Sequence, residues 1–566
     1  MNKLKLSKCL LAFGLMMSFG LSAQQEKQIF YNLTEVSKAN VEYLGTPQII
    51  AGNSKIFEID PAIIQQQMSG VAQTDAQGNG FVARISFPHP DGTMHEYKAL
   101  ANTVMHPDLA AKFPDIKAYD AYDDNGASVK WDITPHGLHV MIRQAGASTI
   151  YIDPLIRGNN QYYIVYYKKD FQTDKYRECS FDSDEERIKM TFKPTTGEVK
   201  SFGSCQLRTY RLALSATGEY TTFHGGTVGL AQAAQVTTMN RVNGVYENEM
   251  SITMTIIANN NLIVYTNSGT DPFTNGNPGS MITQNQNNTT TVIGSANYDI
   301  GHVFGTNSGG LAGLGVVCSN SNKARGVTGS GAPIGDAFDI DYVAHEMGHQ
   351  FGCNHTFAGT VGSCNGNGNL ATAMEPGSGS TIMAYAGICG ALDVQSNSDD
   401  NFHGISLQEM GAYVTTGNGN SCPVTTTLSN SPPNIISTNG NVTIPGGTPF
   451  ALTAVATDID GDPLTYNWEQ MNNAFTAAVP SATATSGPNF RSKPSTVSPT
   501  RYFPTLPGGS TTWERLPTVS RTMNFRCVVR DNSPGAGGCN DHEDITVTVD
   551  GNSGPFVVSY PSATGI

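Results

Sequence analysis

Charge is scarce in this chain. Asp, Glu, Lys and Arg make up only 14% of its 566 residues, and 33 Lys plus Arg stand against 47 Asp plus Glu, a net charge of −14. That shortage of cations argues against nucleic acid as the main partner, because phosphate binding needs an excess of clustered Lys and Arg. Modest acidity of this kind serves solubility and names no substrate. Long apolar runs are missing as well: beyond the first 23 residues no stretch of about 18 apolar residues occurs, so no downstream membrane span is expected. The length is too great for one ordinary core and implies roughly three or four folding units.

What the amino terminus does have is the layout of a leader. Lys3, Lys5 and Lys8 precede an apolar run from Cys9 to Leu21, and Leu21-Ser22-Ala23 supplies small residues before Gln24. Residues 1–23 are therefore expected to be removed as a signal peptide, leaving a secreted, extracellular protein. Export places the nine remaining cysteines where pairing is expected. Cys527 and Cys539 lie close together in sequence and are expected to pair locally. Seven remain, an odd number, so at least one thiol is left over.

The pattern changes along the chain. Residues 24–205 carry short strand-like runs, such as Phe81 to Phe87 and Tyr162 to Tyr167, broken by polar turns, and predict a β-rich unit. From 206 to 424 strands mix with helices. Tyr210 to Leu214 and Ser251 to Ala258 read as strands, Gly229 to Met250 has helical spacing, and Tyr298 to Phe304 is followed by a glycine-rich stretch suited to a cleft edge. This predicts an α/β domain. Residues 425–433 read as a linker around Pro432 and Pro433. Residues 434–551 alternate in short strands without a helical period, the pattern of an immunoglobulin-like β-sandwich. Residues 552–566 restart a strand pattern, as at the beginning of a further, truncated module. The fold class expected is thus multidomain, α/β plus β.

The chemistry is concentrated between Asp339 and His355. In Val343-Ala344-His345-Glu346-Met347-Gly348-His349, helical geometry puts His345 and His349 on one face, where both imidazoles reach a single cation. Glu346 stands next to the first ligand, placed to reach water without occupying the metal. Gly352 leaves helical geometry cheaply and turns the chain so that His355 approaches as a third ligand. Three neutral nitrogens leave a position open, which is what a catalytic Zn2+ site requires. Two histidines at this spacing also line cores and solvated faces. The glycine and the third histidine at the required offsets weigh against that.

This stretch resembles the long zinc motif of the metzincin peptidases at every defining position. Ser380-Thr381-Ile382-Met383-Ala384-Tyr385 is similar to the methionine turn of that clan, with Met383 as the apolar base under the histidines. The layout from Leu207 to Cys422 resembles the reprolysin-like (adamalysin-like) branch, particularly its bacterial secreted versions with a propeptide and appended β-sandwich modules. Adamalysins usually have Asp after the third histidine, where this chain has Thr356. Tyr385 is similar to the tyrosine of astacins and serralysins, which acts as a further metal ligand or transition-state donor; a packing role for the ring is the alternative.

The resemblance implies a zinc metalloendopeptidase made as a zymogen, with residues 24–205 as propeptide, 206–424 as catalytic domain, Glu346 as general base, and proteins or peptides as substrates. It implies pairs Cys318–Cys422 and Cys364–Cys389, leaving Cys353 free. Cys179 resembles the cysteine switch of adamalysin propeptides and Cys205 competes for that role, a thiolate being a strong zinc ligand; a Cys179–Cys205 disulfide is the third reading. Asp458, Asp460 and Asp462 form an oxygen-rich run that holds Ca2+ between β modules or is a solvated acidic turn. The rival function is an adhesive or binding protein with an inactive metalloprotease-like domain. The sequence sets no oligomeric state.

Overall fold

A computed structural model of the chain describes residues 27–41, 44–69, 83–172, 201–306, 309–506, 511–533 and 537–557. At its centre lies a six-stranded sheet formed by β1 (Gln206–Ala216), β2 (Ile252–Ile256), β3 (Ile300–Gly305), β4 (Gly309–Ala312), β5 (Gly326–Gly329) and β6 (Val424–Thr427). The order is β2-β1-β3-β5-β4, with β6 beside the first residues of β1. β1, β2, β3 and β5 run parallel, while β4 lies antiparallel to β5 at one edge. The apolar run of β1 is buried at Tyr210, Leu212, Ala213 and Leu214, as a central parallel strand covered on both faces requires. β6 occupies the first residues of the expected linker, so the chain stays on this sheet until Thr427 before leaving it.

The longer helices beside the sheet, with the short one that carries the metal motif, are α1 (Val228–Met250), α2 (Pro278–Val292), α3 (His345–Gln350) and α4 (Gly404–Thr415). Thr227 caps α1 by accepting from the Leu230 N–H, and Ser251 in left-handed geometry ends it. α1 is buried along nearly its whole length, polar residues such as Gln235, Asn240 and Arg241 included, because the central sheet packs on one side and a second sheet on the other.

That second sheet has ten strands between Lys27 and Tyr167. One of its faces shares a continuous core with α1 and the central sheet, and the other covers helix Pro61–Met68. Backbone bonds from Ile256 N–H to Val104 O and from His106 N–H to Ile256 O, both 2.8 Å, attach residues 102–106 to β2. Residues 102–106 therefore extend the central sheet at the edge opposite β4. Buried ion pairs cross the contact, Lys168 with Asp336 and Arg241 with Asp153, while Arg241 also meets Asp339 of its own domain.

Beyond β6, strands Asn434–Thr438, Phe450–Thr457 and Thr500–Phe503 form one sheet, and Val442–Pro445, Asn540–Asp550, Arg521–Arg530 and Thr465–Gln470 another. Leu452 and Phe503 of the first meet Trp468, Phe525 and Val547 of the second in one core, which makes this region a β-sandwich. It packs against the end of α1 through a buried Arg530–Glu249 pair.

The cysteines depart from expectation in one respect. Cys318–Cys422 and Cys364–Cys389 pair as the resemblance implies, and Cys353 is a buried free thiol. Cys539, however, bonds Cys205, and Cys527 is free and buried. In the hairpin Arg530 faces Asn540, so Cys539 lies at its end while Cys527 sits three residues down the strand, about 10 Å away and beyond disulfide reach. The same bond removes Cys205 as a switch and as a partner for Cys179. Cys179 itself falls outside the described residues.

The Asp458, Asp460 and Asp462 run is a turn in which one oxygen of Asp458 accepts from the N–H groups of residues 460, 461 and 462. Asp460 accepts from the Ser431 N–H. Carboxylate oxygens of Asp458 and Asp460 are thus engaged by backbone N–H groups, the arrangement of a hydrogen-bonded turn, and calcium gains no support.

Candidate metal centre

The metal motif rides on a helix anchored from below. Asp339 meets Arg241 and Thr238, and Asp341 accepts from the Ser398 N–H at 3.0 Å. Between these anchors residues Asp339–Ala344 wind as a π-helix before α3 begins at His345. Local π geometry shifts the phase of the following turn, a device common at functional sites. Val343, Met347 and Phe351 turn inward, where the Tyr246 hydroxyl donates to Ala344 O at 2.7 Å. α3 then stops because Gly352 takes φ of 97°, a left-handed value that favours glycine, and the Cys353 N–H closes onto Gly348 O.

The turn brings three imidazoles together. The Nε2 atoms of His345, His349 and His355 lie 3.1, 3.0 and 3.2 Å apart in the three pairings. Each ring's Nδ1 meets a backbone carbonyl: Ile382 O at 2.7 Å, Cys353 O at 2.7 Å and Asn367 O at 2.6 Å, respectively. A carbonyl only accepts, so each Nδ1 carries the proton and each Nε2 presents a lone pair. Three lone pairs at this separation repel one another unless a cation stands among them. Zinc–nitrogen bonds of about 2.0–2.1 Å in tetrahedral arrangement put ligand nitrogens about 3.3 Å apart, so the donor set fits Zn2+. Burial holds His345 at a pKa of about 4, keeping that ring neutral.

Glu346 is 2% exposed, and its Oε2 has no hydrogen-bond partner among the described residues. Burial raises its carboxyl well above the usual range. It reaches the site because β4 presents a glycine: a Cβ on Gly310 would stand 1.9 Å from Glu346 Oε1. The glycine-rich stretch expected to follow Phe304 thus runs beside the site as an edge strand.

Met383 is fully buried beneath α3, with Sδ where a Cβ on Gly348 would be 2.4 Å away. The ring of Tyr385 lies 4.6 Å from His355 and 5.6 Å from His345, so it stands at the histidine cluster. Thr356 donates to Glu375 at 2.6 Å, and the same buried carboxylate accepts from the Ser380 N–H and from the N–H and hydroxyl of Thr381. A carboxylate is therefore present beside position 356, supplied from elsewhere in the chain. Gly310, Gly348, Asn367 and Glu375 were not singled out from the sequence. The glycines had a signal in their place beside apolar or glycine-rich motifs, whereas Asn367 acts through its backbone oxygen and had none.

The three disulfides among the described residues suit an oxidising compartment, and no described helix is long and apolar enough to cross a membrane. A comparison with curated proteins finds no match. Residues 206–412 match the family model described as metallo-peptidase family M12B, reprolysin-like. The match spans β1 to α4 and includes all three histidines, and with it the chain is assigned a metallopeptidase domain of the M12B reprolysin-like family.

Proposed function

We propose that this chain is a secreted zinc endopeptidase, made with a propeptide that lies within residues 24–205 and with 434–551 as an immunoglobulin-like sandwich, that cleaves extracellular proteins or peptides. The observation that carries this reading is the convergence of three Nε2 lone pairs, each fixed by a carbonyl behind its ring. His345, His349 and His355 would hold the metal. Zinc bound there supplies a Lewis acid that polarises a carbonyl and makes water more acidic.

The rest falls to the chain's own residues. β4 is the antiparallel edge of the central sheet, and an extended substrate adds to such an edge through backbone hydrogen bonds. Glu346, lying against Gly310 of that strand, accepts the proton of the attacking water and returns it to the leaving amine. Tyr385, packed against His355, is placed to donate to the developing oxyanion. The leader-like pattern of residues 1–23 and the three disulfides among the described residues support export.

Casein or gelatin digestion with and without a zinc chelator, alongside metal analysis, tests the proposal. Glu346→Ala should keep its zinc and lose cleavage by at least about 100-fold, while His349→Ala should lose both metal and cleavage. Wild-type protein that holds zinc yet cuts nothing would leave the adhesive, inactive reading standing.

A further inference from the structure

The third histidine depends on a loop that is held both by its own domain, through the Cys364–Cys389 bond and the Asn369–Asn354 contact, and by the sandwich. His355 Nδ1 donates to Asn367 O, and the Thr372 hydroxyl donates to His355 O at 2.6 Å. Both acceptor and donor lie on the irregular loop between His355 and Glu375. From the far side this loop is held by the connection that leaves strand Thr465–Gln470 of the sandwich. The Ala474 N–H donates to Ala373 O at 3.1 Å, and the Thr476 N–H donates to Ala358 O at 2.9 Å. Asn473 Nδ2 donates to Leu370 O at 2.7 Å, and Thr476 forms a parallel bridge with Gly359.

A ring completes the contact. Phe475 lies flat on the loop where a Cβ on Gly368 would stand 2.4 Å from its Cε1, one residue after the carbonyl that orients His355. The same absent Cβ would be 3.4 Å from Phe357, whose ring packs 5.2 Å from His355. A second sandwich aromatic repeats the arrangement: Trp513 sits over Gly377, where a Cβ would be 2.6 Å away, and packs on the cluster that contains Tyr385. Phe475 is nevertheless 42% exposed. A ring that remained only to be buried would be placed better inside the sandwich core.

We propose that residues 473–476 of the C-terminal sandwich are a working part of the metal centre, with Phe475 and Asn473 as positioning residues that fix the loop orienting His355. The proposal rests on the zinc reading of the three histidines. It makes the sandwich more than an appended recognition module: the brace adds to the Cys364–Cys389 bond and the Asn369–Asn354 contact in fixing the backbone oxygen that sets the third ligand's ring. Outer-shell groups that orient a ligand typically change metal affinity by about 10- to 100-fold.

The test uses the full chain and reads zinc affinity by competition with a chromophoric chelator, so it does not depend on cleavage. Phe475→Ala and Asn473→Ala should each weaken zinc binding, the former about tenfold, and Phe475→Leu should restore most of it. Leu452→Ala, in the sandwich core and away from the contact, serves as the comparison: it should lower the melting temperature and leave zinc affinity unchanged. Wild-type affinity in both contact variants would overturn the proposal, as would an equal loss in Leu452→Ala. Wild-type protein that binds no zinc in the same competition would instead bring down the metal centre itself, and this inference with it.

Discussion

Glu375 gathers four donors in a place no water reaches: the hydroxyls of Thr356 and Thr381 and the N–H groups of Ser380 and Thr381. One side chain thereby ties the residue after the third histidine to the turn that carries Met383. Removing it leaves those donors buried and unpaired, and each such group costs about 1–3 kcal/mol. Glu375→Ala should therefore destabilise the chain by roughly 3 kcal/mol or more, measured as a drop in thermal midpoint, with Glu375→Gln losing less because it keeps one acceptor oxygen. At this scale the sequence was legible where chemistry and local spacing coincide. His345 and His349 declare themselves by a helical interval, and Gly352 by the turn that His355 requires. Glu375 does not, because nothing in Met-Glu-Pro predicts which distant hydroxyls will meet it.

β4 and the π-turn before α3 are the elements on which the site depends. The sequence reading placed a glycine-rich stretch along a cleft edge, and Gly309–Ala312 lies there, but period and propensity do not say which glycine must stay bare. The structure answers with Gly310, whose missing Cβ leaves room for the Glu346 carboxylate. Gly310→Ala should push that carboxylate aside; on the proposed mechanism, peptide cleavage then falls by at least about 100-fold while zinc affinity is kept. A variant with undiminished cleavage would detach Glu346 from the base role. The strands Ile252–Ile256 and Ile300–Gly305 were readable from β-branched or apolar runs. The π-helix at Asp339–Ala344 was not, since its register is set by Arg241 and Ser398 rather than by local preference. The linker expected at 425–433 rests on Pro432 and Pro433, and it takes in most of β6, whose exposed threonines carry no strand alternation and are ordered by pairing with β1.

On the scale of the whole molecule, the Cys205–Cys539 bond decides what can separate from what. Proximity in sequence suggested Cys527 for Cys539, and hairpin register defeats it. The bond observed instead links the residue just before β1 to the end of the sandwich that packs on α1. The N-terminal sheet is held by contacts of another kind, notably the buried Lys168–Asp336 pair and the bridge of Arg241 to Asp153. If residues 24–205 serve as propeptide, the position of the cut relative to Cys205 determines their fate. A cut after Cys205 would leave the N-terminal unit covalently attached through Cys539 until reduction. A cut before it leaves only noncovalent contacts, and Cys205 stays with the mature enzyme. Residues 203–205 also belong to the mature side by packing: the Arg208 guanidinium donates to Gly203 O and Ser204 Oγ, and Phe202 N–H donates to Asn540. We therefore expect the mature amino terminus to lie upstream of Phe202, with the Cys205–Cys539 pair intact. Terminal sequencing and non-reducing peptide mapping of the processed protein check this. A mature chain beginning after Cys205, with a free thiol at Cys539, would mean that the boundary expected at 205 is the true one and that the sandwich is held without its disulfide.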